Sequence, residues 1–179
     1  PATGHALSLL RLPQVLIDMI RIGPIVREVK QLEALLKDPD KTWLTLVALA
    51  EELPANEALQ LYHAAGAELG MPLELIFINA VYQSTLTTGE IEQVEYLRNN
   101  CQGNGENSDE RKLLEAAGRL IRMCRRQQVY VDQIKSGTSG NVIEIPMYYT
   151  NHLSIGDIGD IAARLIKVGN ANLEPFSHV

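Results

Sequence analysis

The chain has little cysteine, no excess of positive charge and no long apolar run, and each lack closes off a class of function. Its formal net charge is -6 over 179 residues. A general nucleic-acid binder needs a basic surface to meet phosphates, so no nucleic-acid partner is expected. Two cysteines, Cys101 and Cys124, give no disulfide framework and suit a reducing, cytoplasmic setting. Arg11, Asp18 and Arg21 interrupt the longest apolar runs before they reach membrane-span length, so the chain is not expected to cross a bilayer. A zinc clamp is not expected either, because zinc takes about four ligands and Cys124 stands alone between Met123 and Arg125. Nor is there a G-x-x-x-x-G-K-[ST] loop: Gly103, Gly105, Gly137 and Gly140 have no Lys-Thr after them. Without that cradle of amides and its lysine, the chain by itself is not expected to hydrolyse a nucleoside triphosphate.

What is present is an ordinary globular composition, 46% apolar, enough for one sizeable domain. The opening residues Pro1-Ala2-Thr3-Gly4-His5 read as a strand end and a tight turn feeding a helix, because Gly4 tolerates backbone angles that other residues resist. Such a junction is where open α/β sheets bind ligands. No Met stands before Pro1, and we expect the chain to be the back half of a larger protein, beginning within a motif.

Helical periodicity runs from Leu7 to Ile22, with Leu9, Leu12, Leu16, Met19 and Ile20 on its apolar face. A second helix spans Pro24 to Lys37, and Leu16, Met19, Ile20, Val26 and Val29 are expected to cover a sheet. Trp43 to Leu49 is a continuous β-prone run, as in a strand buried on both faces. Pro54 to Leu69 reads as a helix stopped by Gly70, and Leu73 to Asn79 as the next strand, making one βαβ unit. Helices are expected from about Glu90 to Arg98 and from Asp109 to Lys135, separated by a polar loop from Asn99 to Ser108. Lys135 to Asn141 is a connection, Val142 to Ile145 a third strand, and Ser154 or Asp157 opens a closing helix to Lys167.

Several of these segments resemble, in order, the signatures of the anion-transporting ATPase family, which includes the arsenical pump-driving ATPase and the ATPase that delivers tail-anchored membrane proteins. Pro1 to His5 is similar to the end of its D-x-P-[AT]-T-G-H segment, and Thr42 to Glu57 to a strand followed by a P-E-x-L-x-x-x-E helix start. Leu75 to Asn79 resembles its V-V-N strand end, Gln127 to Ile134 its Q-x-x-Y-L-x-x-I helix, and Val142 to Met147 its last strand and P-L turn. The resemblance implies an α/β fold, a partial parallel sheet with flanking helices, forming the C-terminal half of a P-loop NTPase fold of the deviant Walker A type. On this reading residues 1–40 are the switch II exit and a short helical insertion, residues 41–98 a βαβ unit and the following helix, and residues 99–179 a long helix, last strand, adenine loop and closing helix.

By the same resemblance Thr3, Gly4 and His5 would belong to switch II, whose backbone amides can face an anion and move when it leaves. Asn79 would contact adenine, since a carboxamide can donate to a ring nitrogen and accept from the exocyclic amine. Pro146, Met147 and Tyr148 would pack over the base. Asn151 and Ser154 stand where the family has Glu and Gly in this loop. The intact protein would use ATP and Mg²⁺, act as a homodimer and serve a membrane-protein partner. Read without the family, His5 is a helix-start residue, Asn79 a turn former and the set Arg119, Arg122, Arg125 and Arg126 a solvated helix face. The chain then reads as a non-catalytic interaction or dimerisation module with an open sheet edge.

Overall fold

Three largely apolar runs form the centre of the structure, a computed structural model that describes residues 2–20, 22–71, 73–100 and 109–172. They are Leu44–Leu49 (β1), Leu73–Val81 (β2) and Asn141–Pro146 (β3), paired in parallel in the order β1-β2-β3. The helices are Ala2–Met19 (α1), Pro24–Lys37 (α2), Glu52–Ala64 (α3), Thr88–Asn100 (α4), Asp109–Gly137 (α5) and Ile155–Asn172 (α6). One π-helical turn, Ala65–Leu69, extends α3 and ends at Gly70, whose φ of 61° supplies the left-handed stop. The chain is thus mixed α/β, with a small parallel sheet flanked by helices.

Register decides which side chains are buried. Leu46 pairs with Ile76 and Ala48 with Ile78. These four join Ala55 of α3 and Val131 and Ile134 of α5 in one core cluster. Fully burying such an aliphatic side chain is worth about 1.5 to 3 kcal/mol, so α3 and α5 are fixed on the same sheet face. That arrangement follows from topology: the strands advance in chain order, and crossovers of one hand moving one way place their helices on one side. On the other face α6 packs against β3, while Val47 of β1 remains 68% exposed.

Helix ends match local chemistry. At the start of α4 the Thr87 N–H donates to Glu90 Oε2 at 2.7 Å, and the Glu90 N–H reaches back to Thr87 Oγ1 at 3.4 Å. Ser154 and Asp157 repeat this exchange at the start of α6. Both are capping boxes, the second with Asp in the place of the usual Glu.

Three expectations are corrected. The strand in Trp43 to Leu49 is not buried on both faces: Leu46 and Ala48 are buried beneath α3 and α5, while Thr45, Val47 and Leu49 are exposed, because α6 packs on β3 and leaves that face of the edge strand open. Residues 2–5 are not a strand end and turn: α1 begins at Ala2, and Gly4 sits inside it with its carbonyl accepting from Ser8 Oγ at 2.8 Å. Gly4 has no positive φ, so its conformational freedom goes unused and the helix propagates through it. Nor do α1 and α2 chiefly cover the sheet. They pack on each other, and α1 also packs on α3. Met19 is 74% and Leu9 69% exposed, while Val26 is buried and Leu16, Ile20 and Val29 are half-buried. The remaining boundaries move by a few residues, as when α5 continues through Gly137 and shortens the connection to β3.

Candidate functional site

β1 is an edge strand: among the described residues no strand pairs with its outer side. A cleft of about 440 Å³ lies along that edge, floored by Leu46 to Leu49, walled by Pro54, Glu57, Ala58 and Leu61 of α3, and closed by Ala6 of α1 and Asn79 of β2. The place has a topological meaning. In open α/β sheets ligands settle outside the strand carboxyl ends where the strand order reverses. Within β1-β2-β3 the order never reverses, so a reversal could lie only beside an edge strand.

Asn79 stands at the carboxyl end of β2, exposed and paired in register with Leu49. The backbone after it is unusual. Ala80 has φ 57°, a left-handed conformation that a side chain makes unfavourable by roughly 1 to 2 kcal/mol. The β2–β3 register shifts between Ile78 and Val81. From α5, Gln127 donates through Nε2 to the Ala80 carbonyl at 3.2 Å and accepts through Oε1 from the Tyr82 N–H at 2.6 Å. On the β3 side the Met147 N–H donates to the Val81 carbonyl at 2.9 Å, and the rings of Tyr82 and Tyr149 stack with centroids 6.2 Å apart.

The residues singled out from the sequence therefore divide. Asn79 and Pro146 come to the same end of the sheet, Pro146 being the register partner of Val81. Asn79 lines the β1-edge cleft, whereas Pro146, Met147 and Tyr148 do not. Met147 is 37% exposed, and the Tyr148 hydroxyl is shielded from solvent with no hydrogen-bond partner among the described residues. Gly4 and His5 are exposed in the first turns of α1, and their neighbour Ala6 reaches the cleft. Pro1 and the side chain of Thr3 lie outside the described residues, as does Cys101. Sequence reading passed over Gln127 as a site residue and gave no hint of Ala80. A glutamine in register with Val131 and Ile134 on an apolar helix stripe was the available signal.

The lining sorts the chemistry this cleft can do. Its walls are apolar, it offers one carboxamide, and Glu57 is the charged side chain among the lining residues. Such a set fits the flat face and edge of a heterocyclic base, and it does not fit phosphate oxygens or their Mg²⁺. Among the described residues no group of three or more His, Cys, Asp and Glu side chains is placed to hold a metal. Cys124 is half-buried, and burial pushes its thiol above the ordinary value, away from the thiolate a soft metal needs. The exposed Arg125 pairs with Glu95 of α4 at 2.6 Å, which ties part of the arginine-rich face of α5 to its neighbour. No helix among the described residues is long and apolar enough to cross a membrane. No protein-family model matches this chain, and no curated protein matches it.

Proposed function

We propose that this chain is the carboxyl-terminal part of an ATPase domain of the kind its sequence resembles, the anion-transporting ATPases, and that it supplies the base-binding side of a nucleotide pocket. The observation that carries this reading is the position of Asn79: exposed, at a strand's carboxyl end, bordering a cleft at an open parallel edge. Its carboxamide donates to one ring nitrogen of adenine and accepts from the exocyclic amine. In this reading Pro146, Met147 and Tyr148 cover the ring, although none of the three lines the cleft in this structure. Thr3, Gly4 and His5, in the first turn of α1, belong to the switch II segment that transmits the state of the γ-phosphate.

ATP and Mg²⁺ supply the hydrolytic chemistry in the intact protein, where a phosphate-binding loop outside these residues grips the triphosphate. The fold completed in this way is a P-loop NTPase of the deviant Walker A type, acting in the cytoplasm as a homodimer for a membrane-protein partner. The experiment joins an amino-terminal half containing the loop to this chain. Mg²⁺-dependent phosphate release should appear, and Asn79→Ala should weaken adenine-nucleotide binding by roughly tenfold, the worth of one or two hydrogen bonds. A folded complete protein that releases no phosphate rejects the proposal.

A second reading, a non-catalytic interaction module, is favoured by the edge itself. Thr45, Val47 and Leu49 carry no charge, and the edge has none of the lysines or prolines that blunt solvent-facing edges.

A further inference from the structure

Gly118 lies within α5 and is buried, and what covers it is arginine. A methyl group at this position would stand 2.8 Å from Nη1 and 3.2 Å from Cδ of Arg98, in the last turn of α4, and 3.4 Å from Nη1 of Arg122, one turn further along α5. Two guanidinium groups from different helices therefore converge on one glycine, and the missing Cβ is what lets Arg98 lie so close to the helix. Like charges brought together in this way repel. Among the described residues neither arginine forms an ion pair. The carboxylates that neighbour them in sequence are already engaged, Glu95 with Arg125 at 2.6 Å and Glu115 with Arg111 at 3.4 Å. In a chain whose net charge is -6, the pair is a local concentration of positive charge against the sign of the whole. Arg98 alone has an ordinary explanation, since a cation suits the carboxyl end of a helix. That explanation does not reach Arg122, which stands in the middle of α5.

We propose that Arg98 and Arg122 form a binding site for a phosphate group, carried by a small molecule or present as the free ion, held between α4 and α5 above Gly118. Each guanidinium offers a planar fork of donors and no acceptor. Two forks that meet from different helices call for an anion with more than two oxygens, which a phosphate has and a carboxylate lacks. Gly118 lies roughly 13 Å along α5 from Gln127, so the site is separate from the strand-end cleft and does not depend on the reading of Asn79.

The test titrates the isotope-labelled full chain with inorganic phosphate, glycerol phosphate and acetate at constant ionic strength and neutral pH. NMR reads the backbone resonance of Gly118 and the Nε–Hε resonances of Arg98 and Arg122, while the remaining amides report that each variant is folded. Both phosphates should saturate these signals in the millimolar range or below, with acetate roughly tenfold weaker. Stronger binding of the ester would name a phosphorylated small molecule as the ligand, and equal binding the free ion. Arg98→Gln and Arg122→Gln should each weaken phosphate binding by roughly tenfold, the worth of one charge-assisted pair. Gly118→Ala keeps both charges, and its methyl group meets side-chain atoms alone, so it should fold, push Arg98 aside and weaken binding by roughly three- to tenfold. Arg111→Gln, at the start of the same helix, removes the same unit of charge and should change phosphate affinity by no more than about twofold. An equal loss in Arg111→Gln, full affinity in Gly118→Ala or acetate binding as tightly as phosphate overturns the proposal. So does an unmodified chain whose Gly118 and arginine resonances respond to neither phosphate.

Discussion

The backbone N–H of Met147 donates to the carbonyl of Val81 at 2.9 Å, so the loop that leaves β3 hangs on the last residue of β2. Val81 is 5% exposed and part of the core, which makes this bond the link between a rigid strand end and an exposed loop. Met147→Pro removes the donor and should cost about 1 to 2 kcal/mol in urea denaturation. Amide exchange should quicken from residue 147 to 153 while β1 stays protected. Unchanged exchange in that loop would show that the bond does not restrain it.

Two left-handed positions give opposite expectations. Gly70 ends the π-helical turn at φ 61°, so Gly70→Ala should lower stability by roughly 1 kcal/mol. Ala80 takes φ 57° with a side chain, so Ala80→Gly should be neutral or stabilising by up to about 1 kcal/mol, strain relief being partly offset by a freer unfolded chain. Thermal unfolding of the two variants side by side checks the pair. A clear loss in Ala80→Gly would mean that the backbone at 80 is not strained.

The cap of α6 predicts a pH response. Hydrogen bonds from the Ser154 hydroxyl, and then from its backbone N–H, hold the Asp157 carboxyl below its ordinary value of 3.8. A depressed folded value means that the carboxylate stabilises the helix start above the unfolded value and loses that contribution as pH falls through the lower folded one. Amide exchange at the start of α6 should therefore accelerate in that acid window, and Asp157→Asn should abolish the pH dependence. An acid response that persists in Asp157→Asn would assign it to another group.

Val47 separates the two functional readings. It is 68% exposed at the middle of the open strand, and Val47→Lys should change monomer stability by no more than about 0.5 kcal/mol. If the edge pairs with another copy, sedimentation should show the unmodified chain associating with concentration and the lysine variant remaining monomeric. A monomer at every concentration in both proteins removes self-pairing at this edge from the second reading.

Much of the frame could be read directly. Trp43 to Leu49 and Leu73 to Asn79 announce strands because largely apolar, β-prone runs of this length fit a sheet, and β1 and β2 occupy them within two residues, although β1 is covered on one face alone. Gly70 announces its stop because its left-handed angle suits a residue with no Cβ, and Ser154 announces α6 because an orphan amide needs a nearby oxygen. These are contacts within a few residues, where local chemistry decides.

At the first residues and at the strand end, long-range packing decided instead. Pro-Ala-Thr-Gly-His is compatible with a turn or a helix, and the helix that propagates through Ala2 and packs on α3 selects the second. Nothing in Asn79-Ala80-Val81 calls for a left-handed alanine. That conformation exists because Ile78 and Val81 are drawn into one core and because Gln127, far along the chain, bonds the backbone on either side of Val81. A sequence specifies which conformations each residue can afford; burying two neighbours of mismatched period under a helix from elsewhere specifies which one is used.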